Sequence, residues 1–121
     1  MPTAKAQPLF NSTSIKGTYG YLGQAFADNF RPAAAIGRIT FDGKGNVVGF
    51  YKAIEQGTLS GKVKYKGTYT VDADGTGQII ITKLDGGGSY SNDFVIVDGG
   101  REIFGYDTMK ERIASVVFKK Q

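Results

Sequence analysis

The chain has no cysteine, no histidine and no tryptophan among its 121 residues. Without cysteine there is no disulfide and no thiolate, whether as nucleophile or as metal ligand, and the redox compartment leaves no trace. Without histidine the usual general base near neutral pH and the commonest metal ligand are gone, so Ser–His–Asp and Cys–His arrangements are excluded. Proline is scarce, three in all, with two of them inside residues 1–14. No apolar run approaches the ~20 residues of a membrane-spanning helix, so no membrane span is expected. The net charge is only +4. Its lysines are scattered, apart from Lys62, Lys64 and Lys66 and the pair Lys119-Lys120. A solvated strand face accounts for them better than a nucleic-acid stripe, so nucleic acid is not an expected partner.

What is present in excess is glycine. Eighteen glycines, about twice the ~7% average share, accompany seven tyrosines and eight phenylalanines. Glycine with that many rings points to turns and sharply curved strands. Residues 1–14 show no period and lack the apolar core of a signal peptide. They read as a disordered N-terminal arm preceding one domain, residues 15–121, large enough to hold a single core. Asn11-Ser12-Thr13 matches a glycosylation sequon, a triplet that also arises by chance. Export to the periplasm or medium is the expected localisation, with any leader outside this chain.

Period-two alternation dominates the rest. Strand-like runs cover residues 15–22, 33–41, 47–54, 62–71, 78–84, 90–97, 102–106 and 112–118, and residues 23–32 read as a linker carrying Phe26 and Phe30. The fourth run is the clearest: Val63, Tyr65, Gly67, Tyr69 and Val71 alternate with lysines and threonines. One face is apolar and the other wet, as in a half-buried antiparallel strand. Asp42-Gly43-Lys44-Gly45-Asn46, Asp72-Ala73-Asp74-Gly75, Asp85-Gly86-Gly87-Gly88 and Asp98-Gly99-Gly100 punctuate the runs as turns. Eight runs with hairpin-length joints predict an all-β fold: a single closed, eight-stranded, antiparallel up-and-down barrel, with a two-sheet β-sandwich as the alternative.

Lys-Gly-Thr-Tyr occurs twice, at residues 16–19 and 66–69. The lysine face of the fourth run turns Gly67 and Tyr69 inward, and by analogy Gly17 and Tyr19. An inward glycine lets a strand coil and leaves room for a ring from the adjoining strand. Asp42-Gly43 and Asp98-Gly99 form a second matching pair, offset by 56 residues against 50 for the first. A half-barrel duplication would therefore carry an insertion between its landmarks.

Gly17-Thr18-Tyr19 is similar to the Gly-x-Trp opening of the calycins (lipocalins, fatty-acid-binding proteins and avidins), with tyrosine in place of the indole. Residues 42–51 resemble the avidin branch. The segments GTYGY, ITFDGKGNV, GTYTVDADGTG and DFVIVDGGREI look like small, glycine-rich bacterial β-barrel proteins. The eight-stranded outline is shared by the allene oxide cyclase and dirigent type, which steer an intermediate by pocket shape. These resemblances imply a ligand-holding barrel. The absent tryptophan removes the indole cage by which avidins hold biotin, and the absent cysteine removes the lipocalin disulfides.

Candidate chemistry is thin. Asp72, Asp74 and Thr76 resemble part of a calcium loop, which needs six or more oxygens, and a hairpin explains them better. Glu55 and Asp107 stand near strand ends as candidate acids, better read as solvated. No catalytic residue, metal or cofactor is expected, and the balance leans away from an enzyme. The functional hint is aromatic. Tyr19, Tyr21, Phe41, Tyr51, Tyr65, Tyr69 and Phe94 fall on inward faces with Asn92, and Phe26 and Phe30 sit where a lid would lie over one mouth. These ten are the expected ligand-binding residues for a small hydrophobic or aromatic molecule. The readings are a non-catalytic binding barrel, a shape-templating cyclase or isomerase, or an interaction module. Residues 47–50, 79–81 and 116–118 are apolar on both faces, which predicts a homo-oligomer, a dimer first.

Overall fold

Strand β5 (Val63–Val71) carries its alternation into three dimensions: Tyr65 and Tyr69 are buried while Lys64, Lys66, Thr68 and Thr70 are exposed. The computed structural model describes residues 9–27, 31–55, 57–108 and 113–121, with backbone alone at 25–27, 31, 32 and 113. The other barrel strands are β1 (Gly17–Ala27), β2 (Arg31–Phe41), β3 (Asn46–Glu55), β6 (Thr76–Lys83), β7 (Ser89–Val97), β8 (Glu102–Asp107) and β9 (Ile113–Lys120). Each pairs antiparallel with its neighbour in the ring, and β9 returns to β1, so eight strands close without an open edge. A two-residue strand, β4 (Thr58–Leu59), is a spur on β3 within the β3–β5 connection. The eight-stranded barrel is as expected, and closure excludes the sandwich.

The expected linker, residues 23–32, is strand at each of its described residues, 23–27 and 31–32. β1 and β2 stay in register out to Ala27↔Arg31, so 23–27 and 31–32 extend one long hairpin. Alanine-rich, weakly β-prone sequence hid strands whose pairing is set by their neighbours. Phe26 lies in β1, opposite Pro32 and Ile113. Phe30, the other residue expected in a lid, lies outside the described residues.

One end of the barrel is corked. Asn11 and Ser14 cap each other across a short 3-10 turn, Ser12–Ile15, and Ile15, expected as the start of a strand, is fully buried in that turn. The cork is tied to each turn at this end. Ser12 Oγ donates to the Gly43 carbonyl at 3.1 Å. Phe10 N–H donates to the Ala73 carbonyl at 3.2 Å. Gly100 packs so closely on the Ser14 carbonyl that a Cβ would overlap it. Residues 9–14 thus belong to the folded unit, although they carry no period. Capping and plugging rely on single residues rather than on repetition.

Rings fit inside because glycines face them. A Cβ at Gly49 would sit 2.6 Å from the Tyr65 hydroxyl, and one at Gly37 would sit 2.6 Å from that of Tyr21, each ring coming from the adjoining strand. Main chain is an obstacle at all three positions, since a Cβ would overlap the carbonyl oxygen of Phe50 at Gly37, of Arg38 at Gly49 and of Ile80 at Gly67. At Gly17 neither applies; its φ of +123° is open to glycine and costly for other residues.

The two Lys-Gly-Thr-Tyr segments do not mark a duplication. In ring order β1 to β5 is three steps, whereas β3 to β8 is four, so no single shift superposes both pairs of landmarks.

Gly67→Ala should cost about 2 kcal/mol or more, the range of overpacked cores. Gly61→Ala meets no atom within 4 Å and should stay within about 0.5 kcal/mol of the parent. Urea unfolding of both variants checks the contrast.

Candidate ligand-binding site

The interior divides by height. Near the cork, Tyr19, Phe41 and Tyr69 form an edge-to-face ladder with centroids 5.4 and 5.0 Å apart. Their space is filled, and the tyrosine hydroxyls are committed: Tyr69 donates to the Ser12 carbonyl at 2.7 Å, and Tyr19 donates to that of Gly100. Both Lys-Gly-Thr-Tyr tyrosines therefore hold the closed end. Phe94 is buried as well, its ring seated over Gly77. These four expected ligand residues face inward, as read from the sequence, and build the packed half.

The far half is different. On β1, β2, β3 and β9 the inward positions are small: Gly23, Ala33, Ala35, Ala53 and Ala114, all half-buried. The opposing wall, from β5, β6 and β7, presents Val63, Tyr65, Lys83, Tyr90 and Asn92. Inward residues that are half-exposed mean that solvent reaches the interior from this end. Among the described residues nothing equivalent to the cork covers it.

A pair of phenols forms the floor. The Tyr21 and Tyr65 hydroxyls are 3.0 Å apart, and Tyr21 donates its single proton to the Phe50 carbonyl at 3.2 Å. The proton between the two phenols is then Tyr65's, giving a chain from Tyr65 to Tyr21 to the main chain. Burial pushes the Tyr21 phenol up to about 12. Burial, with Tyr21 beside it, raises that of Tyr65 further. Both stay neutral at physiological pH. Tyr51 stacks toward Tyr65 with centroids 6.4 Å apart, and the Lys83 ammonium lies 5.9 Å from the centroids of Tyr51 and Tyr90.

Asn92 is the polar exception in the core. It is only 9% exposed and faces inward between Ile79 and Asp107 in register. Among the described residues no hydrogen-bond partner of its side-chain amide is found, and no side-chain polar atom is sealed off without one. Its unused amide therefore looks into reachable space. An amide that opens onto the interior with its hydrogen bonds unused can orient a ligand.

Of the expected site residues, Tyr21, Tyr51, Tyr65 and Asn92 meet in the reachable half. Sequence reading missed Lys83, Tyr90 and the alanine wall. Lys83 shares the inward face with Ile79 and Ile81, a period masked by the outward Ile80. Of the candidate acids, Glu55 is exposed and Asp107 is half-buried on the inward face. Asp74 turns its carboxylate onto Thr76, at 3.0 Å to the backbone N–H, so that segment is a hairpin.

A groove of about 650 Å³ also exists on the outside, over β5 to β8, bordered by Thr70, Gln78, Asp93, Phe104 and Tyr106. It lies across the sheet from the phenols and the Asn92 amide, so the converging aromatic and polar groups mark the interior instead.

No protein-family model and no curated protein matches the chain. Among solved structures it is similar to a de novo designed fluorescence-activating β-barrel, with TM-score 0.64 and 13% identity over 91% of this chain and 96% of that one. It is also similar to a redesigned β-barrel bound to DFHBI, with TM-score 0.62 and 13% identity over 88% and 98%. At that identity the likeness is one of fold: an eight-stranded antiparallel barrel.

Proposed function

We propose that the chain binds a small hydrophobic or aromatic molecule in the uncorked half of the barrel and does not transform it. The observation that carries this reading is the Asn92 amide, which has no hydrogen-bond partner among the described residues and stays reachable across from a wall of alanines. Tyr51 and Tyr90 offer apolar ring faces, the alanines leave depth for a flat body, and the amide supplies one orienting hydrogen bond. That one of the similar barrels carries DFHBI agrees with the reading. Binding without turnover suits phenols held neutral and a chain lacking histidine and cysteine.

The test uses the neutral dye N-phenylnaphthylamine, whose emission rises in apolar surroundings. It should bind the parent chain. Ala35→Leu, which fills the mouth, should weaken it about tenfold, while Ile36→Ala on the outer face should leave it unchanged. Equal affinity for parent and Ala35→Leu would remove the interior as the site.

The outer face supports a second reading, self-association. Ile36, Leu22, Val117, Phe104 and Val95 are consecutive cross-strand neighbours on β2, β1, β9, β8 and β7. Each is exposed, from 37% for Val117 to 57% for Ile36. Five such residues at ~4.8 Å strand spacing make an apolar band roughly 19 Å long, and a two-fold dimer sets one patch against its own copy. A dimer in sedimentation velocity at micromolar concentration, reduced to monomer by Leu22→Lys with Phe104→Lys, is the expected result. A monomeric parent chain would exclude it.

A further inference from the structure

Lys83 has a consequence of its own for what enters the barrel. Its β6 neighbours on the same face are Ile79 and Ile81, both buried, and directly across β5 stands Tyr65. Its ammonium lies against two phenol faces, Tyr51 and Tyr90, at 5.9 Å each. That is the outer limit of a cation–π contact, a weak interaction at an accessible site. Among the described residues no carboxylate pairs with it, the ion pair found there being Lys119 with Glu102. Asp107, the inward carboxylate on β8, is two strands away and has a contact of its own. Three N–H donors on a fixed positive charge are thus turned into the mouth with only ring faces to meet them.

We propose that the ligand of this site is an anion, a flat aromatic or amphipathic carboxylate or sulfonate that enters with its charged group last. The proposal rests on the ligand-binding reading above. The charged group meets Lys83 at the rim, where half-burial strengthens the pairing without sealing the ions from water. The body lies between the alanine wall and the rings of Tyr51 and Tyr90. The leading end reaches the neutral amide of Asn92. Counted along the paired strands, Asn92 is opposite Ile79, four residues below Lys83. At ~3.3 Å per residue that separates the two backbone positions by about 13 Å, ample room for a fused-ring body. Among the described residues the other inward groups of this half are phenols, apolar side chains and the Asp107 carboxylate opposite Asn92, so no second cation competes for the anion deeper inside and a charged group is disfavoured at the leading end.

Two dyes with one skeleton separate charge from shape: anilinonaphthalene sulfonate, an anion, and N-phenylnaphthylamine, which lacks the sulfonate. The parent chain should bind the anion about tenfold tighter than the neutral dye, the scale of one charge-assisted hydrogen bond. Lys83→Met should abolish that preference, bringing the two dyes within about twofold of each other, and Lys83→Arg should keep it. Raising salt on the parent chain gives the same information without a substitution: only the anion's affinity should fall. A preference that survives Lys83→Met, or an anion affinity indifferent to salt, overturns the proposal while the neutral dye still reports a binding barrel. Failure of both dyes to bind overturns the binding reading itself.

Discussion

An eight-stranded barrel encloses little more than the volume of its own inward side chains. Each inward position therefore either fills the interior or opens it, and the chain does both at different heights. Near the cork it places Tyr19, Phe41, Tyr69 and Phe94. These rings are accommodated because inward glycines such as Gly77 surrender their side-chain space to a neighbour. Further along the same strands the inward residues shrink to Gly23, Ala33, Ala35 and Ala53. The rings pack with buried aliphatic side chains such as Ile15, Ile39, Ile79 and Ile103 into the stabilising apolar core, while the other half is loosely filled.

Hydrogen bonding follows the same division. In the packed half every tyrosine hydroxyl ends on a main-chain carbonyl of the cork or a turn, so the rings also fasten the plug. In the other half two phenols satisfy each other and one carbonyl, while among the described residues the Asn92 amide and the Lys83 ammonium have no hydrogen-bond partner. A structure that satisfies its polar groups so thoroughly at one end and leaves two unspent at the other is polarised along its axis.

Much of this was legible in the sequence. Lysine–tyrosine alternation in residues 62–71 turned Tyr65 and Tyr69 inward, and Tyr19 by analogy, and these three rings are buried. The height of each ring was not legible, because rows of neighbours climb obliquely around a barrel. Tyr21 and Tyr65, from β1 and β5, meet although neither pairs with the other's strand. The cork had no period to read, and the long β1–β2 hairpin was concealed by alanine and Pro32. Lys83 was hidden for a different reason: lysine on a strand usually faces water, and three successive isoleucines blur the phase that turns it inward. Whether the inward residues act on a ligand is a matter of what reaches them, and no alternation pattern encodes that.

The central claim is that one half of the barrel interior is packed and the other receives a molecule. Backbone amide shifts followed by NMR during titration with N-phenylnaphthylamine test it most directly. The account predicts that the largest changes fall on Ala35, Tyr51, Ala53, Tyr90 and Asn92, with Tyr19, Phe41 and Tyr69 unmoved. Changes confined to the outer residues Leu22, Phe104 and Val117 would contradict it.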